Sequence, residues 1–309
     1  MHIVFQTAVF EKMAILVIFL GIGYLCAKLK VVSADFNKGL SKLVVNVLLV
    51  GMILASVINK DPTMPKSEMI FGLGILVLSQ LISFVLGLLT PALMHIKDGD
   101  KNMYRLLVTF PNNGFVGMPL VGAIYGDGAV FFASLSNIPF NLLLYSAGMM
   151  LLRGKGGGKV RFKDMINAPI IATLLATVIF LFEIPMPLIV EETADMLSDA
   201  CLPLSMMTIG LSLGDVNVTK AFTKPRVYGV SFMRLIVVPL VTWAIMRLFV
   251  SDPVMLGTAV IIMACPPAII CAILGIDSGR DGAEASEMIF IGTLLSMLTL
   301  PVMISVLGL

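Results

Sequence analysis

A chain of 309 residues with 58% hydrophobic side chains and only 13% Asp, Glu, Lys and Arg cannot clothe a water-facing surface, since soluble proteins carry roughly 25% charged residues. Its mean hydropathy of +1.02 excludes both a disordered chain and an ordinary soluble domain. One Trp, five Tyr and no basic aromatic stripe exclude a nucleic-acid partner, and the net charge of +2 says less than the placement of the charges.

Crossing the hydrocarbon takes about 20 mostly apolar residues, and ten such stretches follow one another. The first, 6–27, has no basic leader before Phe5, and Cys26-Ala27-Lys28 runs on into a basic loop. It therefore reads as a retained span and not a cleaved signal. The others cover 39–59, 68–93, 103–125, 129–152, 165–183, 196–214, 226–249, 253–275 and 285–308. Sixteen of the 21 Lys and Arg fall at the loops after the odd-numbered spans, four on the opposite side, and Arg234 lies inside a span. That bias places the basic loops in the cytoplasm and both termini outside the plasma (inner) membrane. Glu183, Glu191, Glu192, Asp195 and Asp199 after the sixth span fit the external side.

The longest basic loop, Arg153-Gly-Lys-Gly-Gly-Gly-Lys-Val-Arg161, divides the spans five and five. The expected organisation is a first repeat at 1–152, a basic linker at 153–164 and a second repeat at 165–309. An odd number of spans per half inverts the second half relative to the first. Corresponding spans carry the same irregularity. The fourth reads Phe110-Pro-Asn-Asn-Gly-Phe-Val-Gly-Met-Pro119 and the ninth Ala264-Cys-Pro-Pro-Ala-Ile-Ile-Cys271. Proline lacks the amide donor and clashes with the preceding turn, so Pro111, Pro119, Pro266 and Pro267 predict broken helices. Backbone groups freed at membrane depth must line a cavity or find polar partners. Half-helix N-termini favour an anion, and Asn112 and Asn113 add side-chain donors beside Gly114, Cys265 and Ala268.

These residues resemble the auxin efflux carrier family, which includes plant PIN carriers and bacterial malonate and malate permeases. The likeness extends over nearly the whole chain: Gly23-Tyr-Leu-Cys-Ala-Lys28, Leu43-Val-Val-Asn46, Pro111 to Leu120 followed by Tyr125-Gly126, Cys201 to Leu213, Arg234 with Pro239, and Thr293 to Pro301. Two features depart from the family. Leu49-Val50-Gly51 stands where a proline is usual, so the second helix is expected to be less bent, and the long cytoplasmic loop of plant carriers is reduced to about a dozen residues. The latter points away from a plant hormone role and toward a prokaryotic carrier. The resemblance implies a scaffold of the first, second, sixth and seventh helices, and a transport unit of the rest that moves against it. It also implies crossing fourth and ninth helices at the site, and a homodimer.

Other polar residues carry competing readings. Ser134, Asn137, Asn141 and Tyr145 recur on one helical face, either as a wall of the site or as interhelical hydrogen bonds. Thr293, Ser296 and Thr299 more simply bond their own helix. Arg234 either neutralises a substrate carboxylate, caps half-helix carbonyls, or snorkels to the interface or joins a structural ion pair, with Glu284 and Glu287 as partners; the last pair of readings is preferred. Gly154 to Lys159 lacks P-loop spacing, and Gly210 with Gly214 makes a GxxxG-like pair of a kind common by chance. The four cysteines and two histidines form no metal knuckle, so no metal or cofactor is expected, and no acid–base constellation marks an enzyme.

The resulting expectation is an all-α polytopic membrane protein with ten transmembrane helices in a 5+5 inverted repeat with broken, crossing fourth and ninth helices. It acts as a secondary transporter of a small organic anion, a carboxylate such as malate, malonate or an auxin-like acid, with or without a coupling ion. The alternatives are a sodium- or proton-coupled carrier of the bile-acid symporter or antiporter type, and a non-transporting ligand sensor.

Overall fold

The computed structural model describes residues 2–58, 65–96, 101–153, 166–214, 222–280 and 282–309. Of the linker expected at 153–164, all but Arg153 lies outside the described residues. Every regular element among the described residues is helical. Among the described residues six helices are long and apolar enough to cross a membrane: Asp35–Ala55, Lys66–Leu93, Asp127–Leu152, Leu188–Gly214, Pro225–Met246 and Glu284–Leu307. Ala14–Lys28, Asn113–Tyr125, Ala168–Phe182 and Pro253–Ala264 are shorter and also apolar. The protein is thus an all-helical, multi-pass membrane protein, and its large exposed residues, such as Ile70, Phe182, Leu188 and Val306, are those a lipid solvent accepts.

Helix starts follow local rules. Asn167 caps Ala168–Phe182 by accepting from the Ile170 amide, and Asp252 caps Pro253–Ala264 by accepting from the Met255 amide. In both, proline stands in the first turn, where its missing donor is not needed. Among the described residues four π-turns interrupt the helices, at Val44–Leu48, Asn113–Gly117, Leu144–Gly148 and Met233–Val237. The second and fourth of these end two residues before Pro119 and Pro239, where the regular hydrogen-bond ladder must change step. The first has no proline after it. The second span therefore departs from α geometry even with Leu49-Val50-Gly51 in place of the family's proline.

The chain forms two compact units, one of Met1–Gly72, Gly114–Asn137 and Asn167–Asp215, the other of Leu73–Asn113, Ile138–Ile166 and Val216–Leu309. Both draw on both halves of the sequence. In the first unit, the helices His2–Lys28 and Leu188–Gly214 approach backbone to backbone. A β-carbon on Gly23 would lie 2.2 Å from the Met207 carbonyl oxygen, and one on Gly210 would lie 2.1 Å from that of Leu20. Only glycine permits this contact. Lys28 Nζ closes the end of the pair on the Gly214 carbonyl at 2.8 Å.

In the second unit two buried polar residues of Met69–Leu93 face the end of another helix. Gln80 Nε2 donates to the Thr109 carbonyl at 3.1 Å and Ser83 Oγ donates to the same oxygen at 2.8 Å. Both side chains are buried, and their partner is the last residue of the helix Lys101–Thr109.

Candidate functional site at the paired helix breaks

The fourth and ninth spans break as their prolines require. Lys101–Thr109 stops before Phe110 and helical structure resumes at Asn113. Pro253–Ala264 stops before Cys265 and resumes at Ile269. The two extended stretches pair as an antiparallel bridge centred on Pro111 and Pro267. The Ala268 amide donates to the Phe110 carbonyl at 2.9 Å, and the Asn112 amide donates to the Pro266 carbonyl at 2.8 Å. In this arrangement the central pair of residues exchanges no hydrogen bonds. Both prolines therefore occupy the positions of a ladder that ask nothing of a missing N–H, which accounts for proline at both sites.

The bridge is buried, with Asn112 at 5% exposure and Asn113 at 4%, and Phe110 packs edge-on against Phe140 at 5.3 Å. Gly292 lets the chain pass over the Pro267 ring, since a β-carbon there would lie 2.8 Å from the ring Cδ. Beyond the bridge, the helix Ile269–Asp277 starts without a side-chain cap, Ala268 being its N-cap residue. Ile269 and Ile270, its first two residues, are half-buried. Their amides are the first two of the helix and have no partner within it, whereas the next amide, that of Cys271, donates to the Ala268 carbonyl at 3.1 Å.

Three sequence-based expectations change here. The amides near Ala268 were expected to receive a substrate anion; the Ala268 and Asn112 amides instead build the bridge, and the Asn113 amide donates to the Pro111 carbonyl at 2.9 Å. The Ile269 and Ile270 amides at the start of Ile269–Asp277 are backbone donors that the bridge does not use. Secondly, Arg234 does not snorkel. It is wholly buried, with Nε on the Cys265 carbonyl at 2.9 Å, NH1 on the Val108 carbonyl at 2.7 Å and on Ser83 Oγ at 2.9 Å, and NH2 on the Met263 carbonyl at 2.7 Å. Thirdly, the acids expected to pair with it pair elsewhere: Glu287 with Lys224 at 2.5 Å, and Glu284 as acceptor from the Tyr104 hydroxyl at 2.7 Å. A buried charge needs its donors satisfied, and here neutral carbonyls and a hydroxyl accept from the guanidinium where a carboxylate was expected.

The remaining candidates divide between the units. Pro111, Asn112, Asn113, Asn141, Cys265, Pro266, Pro267 and Ala268 belong to the second, whereas Gly114, Pro119 and Asn137 belong to the first. Asn137 and Asn141 are both buried on the helix Asn137–Leu143. Ser296 donates to the Thr293 carbonyl of its own helix, as the simpler reading had it, whereas the buried Thr299 Oγ1 has no hydrogen-bond partner among the described residues. Gln80 and Ser83 were missed. Two buried polar residues three apart in an apolar span are a usable signal, because lipid does not accept them. Among the described residues no cluster of His, Cys, Asp or Glu could hold a metal ion.

A family model described as membrane transport protein matches residues 8–160 and 157–304, which makes the protein a membrane transporter by class. The chain belongs to that family, the auxin efflux carriers. It is similar to an uncharacterized transporter of Methanothermobacter thermautotrophicus, 25% identical over 307 residues that cover 96% of this chain and 98% of the relative. It is also similar to one of Methanocaldococcus jannaschii, 24% identical over 303 residues, 94% of this chain and 96% of the relative. Both relatives are archaeal transporters of full matching length.

Proposed function

We propose that this protein is a secondary carrier of a small organic anion, a mono- or dicarboxylate, bound at the paired helix breaks. One observation carries the reading: two interrupted helices meet at a bridge of Pro111 and Pro267, beside buried Asn112 and Asn113 and a helix start, at Ile269–Asp277, without a side-chain cap. A helix N-terminus with free amides favours negative charge, and asparagine amide groups supply neutral donors to a carboxylate. Transporters with discontinuous helices bind the substrate carboxylate in this way.

The architecture proposed with it is ten crossings in two inverted five-helix repeats. The six long helices and the shorter Ala14–Lys28 and Ala168–Phe182 make eight crossings. The pairs Lys101–Thr109 with Asn113–Tyr125, and Pro253–Ala264 with Ile269–Asp277, make the interrupted two. Alternating access would come from movement of the second unit as the transport part, with the first unit as scaffold. The first unit contains the first, second, sixth and seventh spans that the family resemblance assigns to a scaffold, together with Gly114–Asn137. A homodimer in the plasma membrane, with both termini outside, completes the proposal.

The test is counterflow of radiolabelled malonate and malate in proteoliposomes. Wild type exchanges at least one carboxylate. Asn113→Ala, which removes a donor to a charged group worth about 1.5–3 kcal/mol, weakens apparent affinity by roughly 10–100-fold. Undiminished exchange by Asn113→Ala removes that residue from the site, and no exchange of any carboxylate by wild type removes the carrier reading. A ligand sensor would bind without counterflow.

A further inference from the structure

Arg234 is the largest fully buried side chain of the described residues, and all of its hydrogen-bond partners are neutral. Val108 lies in the last turn of Lys101–Thr109, and Met263 in the last turn of Pro253–Ala264, with Cys265 just beyond it. The guanidinium thus collects the carbonyl ends of both helices that stop at the bridge. Each helix C-terminus carries roughly half a negative charge, so the two converging ends are matched by about one positive charge. Ser83 completes the arrangement by donating to Thr109 while accepting from Arg234. The π-turn Met233–Val237 contains Arg234 and is held by its own backbone bond from Val238 to Met233.

Unwound carbonyls and half-helix C-terminal ends are the groups with which ion-coupled carriers of discontinuous-helix design hold their cation. Here those groups hold a side chain. We propose that Arg234 is a built-in cation, a positioning residue that fills the carbonyl cage behind the paired breaks. The bridge is therefore held, and its positive charge supplied, without a bound sodium ion. The planar fork of the guanidinium, with donors in several directions, suits a cage of carbonyls from two chain segments; an ammonium is a compact point charge and does not span it. The coupling part of this inference rests on the anion-carrier reading, whereas the cage itself does not.

The experiment uses the purified full-length protein in detergent and reads melting temperature without any anion substrate. Wild type is titrated with sodium, potassium and N-methylglucamine chlorides at constant ionic strength, and no cation-specific shift is expected. Arg234→Ala is expected to melt well below wild type and to recover part of the loss in millimolar methylguanidinium or sodium, a rescue that a purely packing role would not produce. Arg234→Lys is expected to fall between the two. In proteoliposomes, the residual carboxylate flux of Arg234→Ala is expected to become dependent on the added cation. A saturable sodium-specific stabilisation of wild type overturns the proposal and needs no variant to fold. So does an Arg234→Ala protein that melts like wild type, or one that no small cation restores. If wild type binds no carboxylate while the cation results hold, the carrier reading fails and the cage assignment stands.

Discussion

At Gly210 the helix Leu188–Gly214 comes so close to His2–Lys28 that a single methyl group would strike backbone, 2.1 Å from the Leu20 carbonyl oxygen and 2.8 Å from the Tyr24 nitrogen. Gly39, by contrast, has nothing within 4 Å of such a methyl and is exposed within Ala34–Leu43. Gly210→Ala is therefore expected to destabilise by about 1–3 kcal/mol, the range for forced overpacking. Gly39→Ala should be neutral or stabilise by up to about 1 kcal/mol through lost chain entropy. Melting temperatures of the two variants against wild type check the contrast. The spacing of Gly210 and Gly214 was visible in the sequence but its meaning was not, because a glycine pair does not say which backbone approaches it. The same holds for Arg234. Its burial could be read as costly from the sequence, and capping of half-helix carbonyls was one reading of it, yet three of its four partners are carbonyls, which every residue has and no sequence pattern marks. At the exposed edge, Lys66 bonds both Glu183, at 2.6 Å, and the Leu181 carbonyl. The Lys66 hydrogen bond and charge hold the Glu183 carboxyl below its ordinary value. A depressed carboxylate stabilises the folded state at pH above its ordinary titration range and loses that effect as pH falls through its lowered value. Both side chains are largely exposed, so the effect is small. Comparing wild type with Glu183→Gln from neutral to acid pH, any gap in melting temperature should close as pH falls.

The interrupted helices were legible as elements and illegible as a pair. Prolines in the fourth and ninth spans announce a break, and the helices stop at Pro111 and at Pro266–Pro267, whereas Pro119 lies inside the helical stretch Asn113–Tyr125. That Pro111 and Pro267 lie opposite each other in one bridge depends on bringing together segments far apart in the chain. The bridge also redirects the chemistry: the Ala268 amide, free by sequence logic, is used by Phe110. Two π-turns lead into prolines, whereas Val44–Leu48 and Leu144–Gly148 have no such marker, so those irregularities carry no sequence signal of this kind. Gly292 offers a test at this scale. Gly292→Ala pushes against the Pro267 ring at 2.8 Å, a rigid group that cannot swing aside as a long side chain would. It is expected to lower melting temperature by an amount equivalent to about 1–3 kcal/mol and to reduce carboxylate counterflow. Gly74→Ala, which meets nothing within 4 Å, should leave both unchanged.

For the molecule as a whole, scarcity of charge pointed to the solvent, and hydropathy located the six helices that, among the described residues, are long and apolar enough to cross a membrane. The charge bias further sets the expected orientation. A single cysteine placed at Glu191 should label from outside intact cells, and one placed at Lys155 only after the membrane is opened; the native thiols other than Cys26 are buried. The division into two units drawn from both halves was not legible from the residues themselves, because a repeat boundary follows chain order whereas packing follows space. The central claim is that a small carboxylate binds at the paired breaks. The melting temperature of the purified protein across a panel of mono- and dicarboxylates, in sodium and in sodium-free buffer, tests it most directly, since a ligand that binds only the folded state must stabilise it. The expected result is a saturable rise with at least one carboxylate, equal in both buffers and lost or strongly weakened in Asn113→Ala. A flat response to every carboxylate in the panel would contradict it.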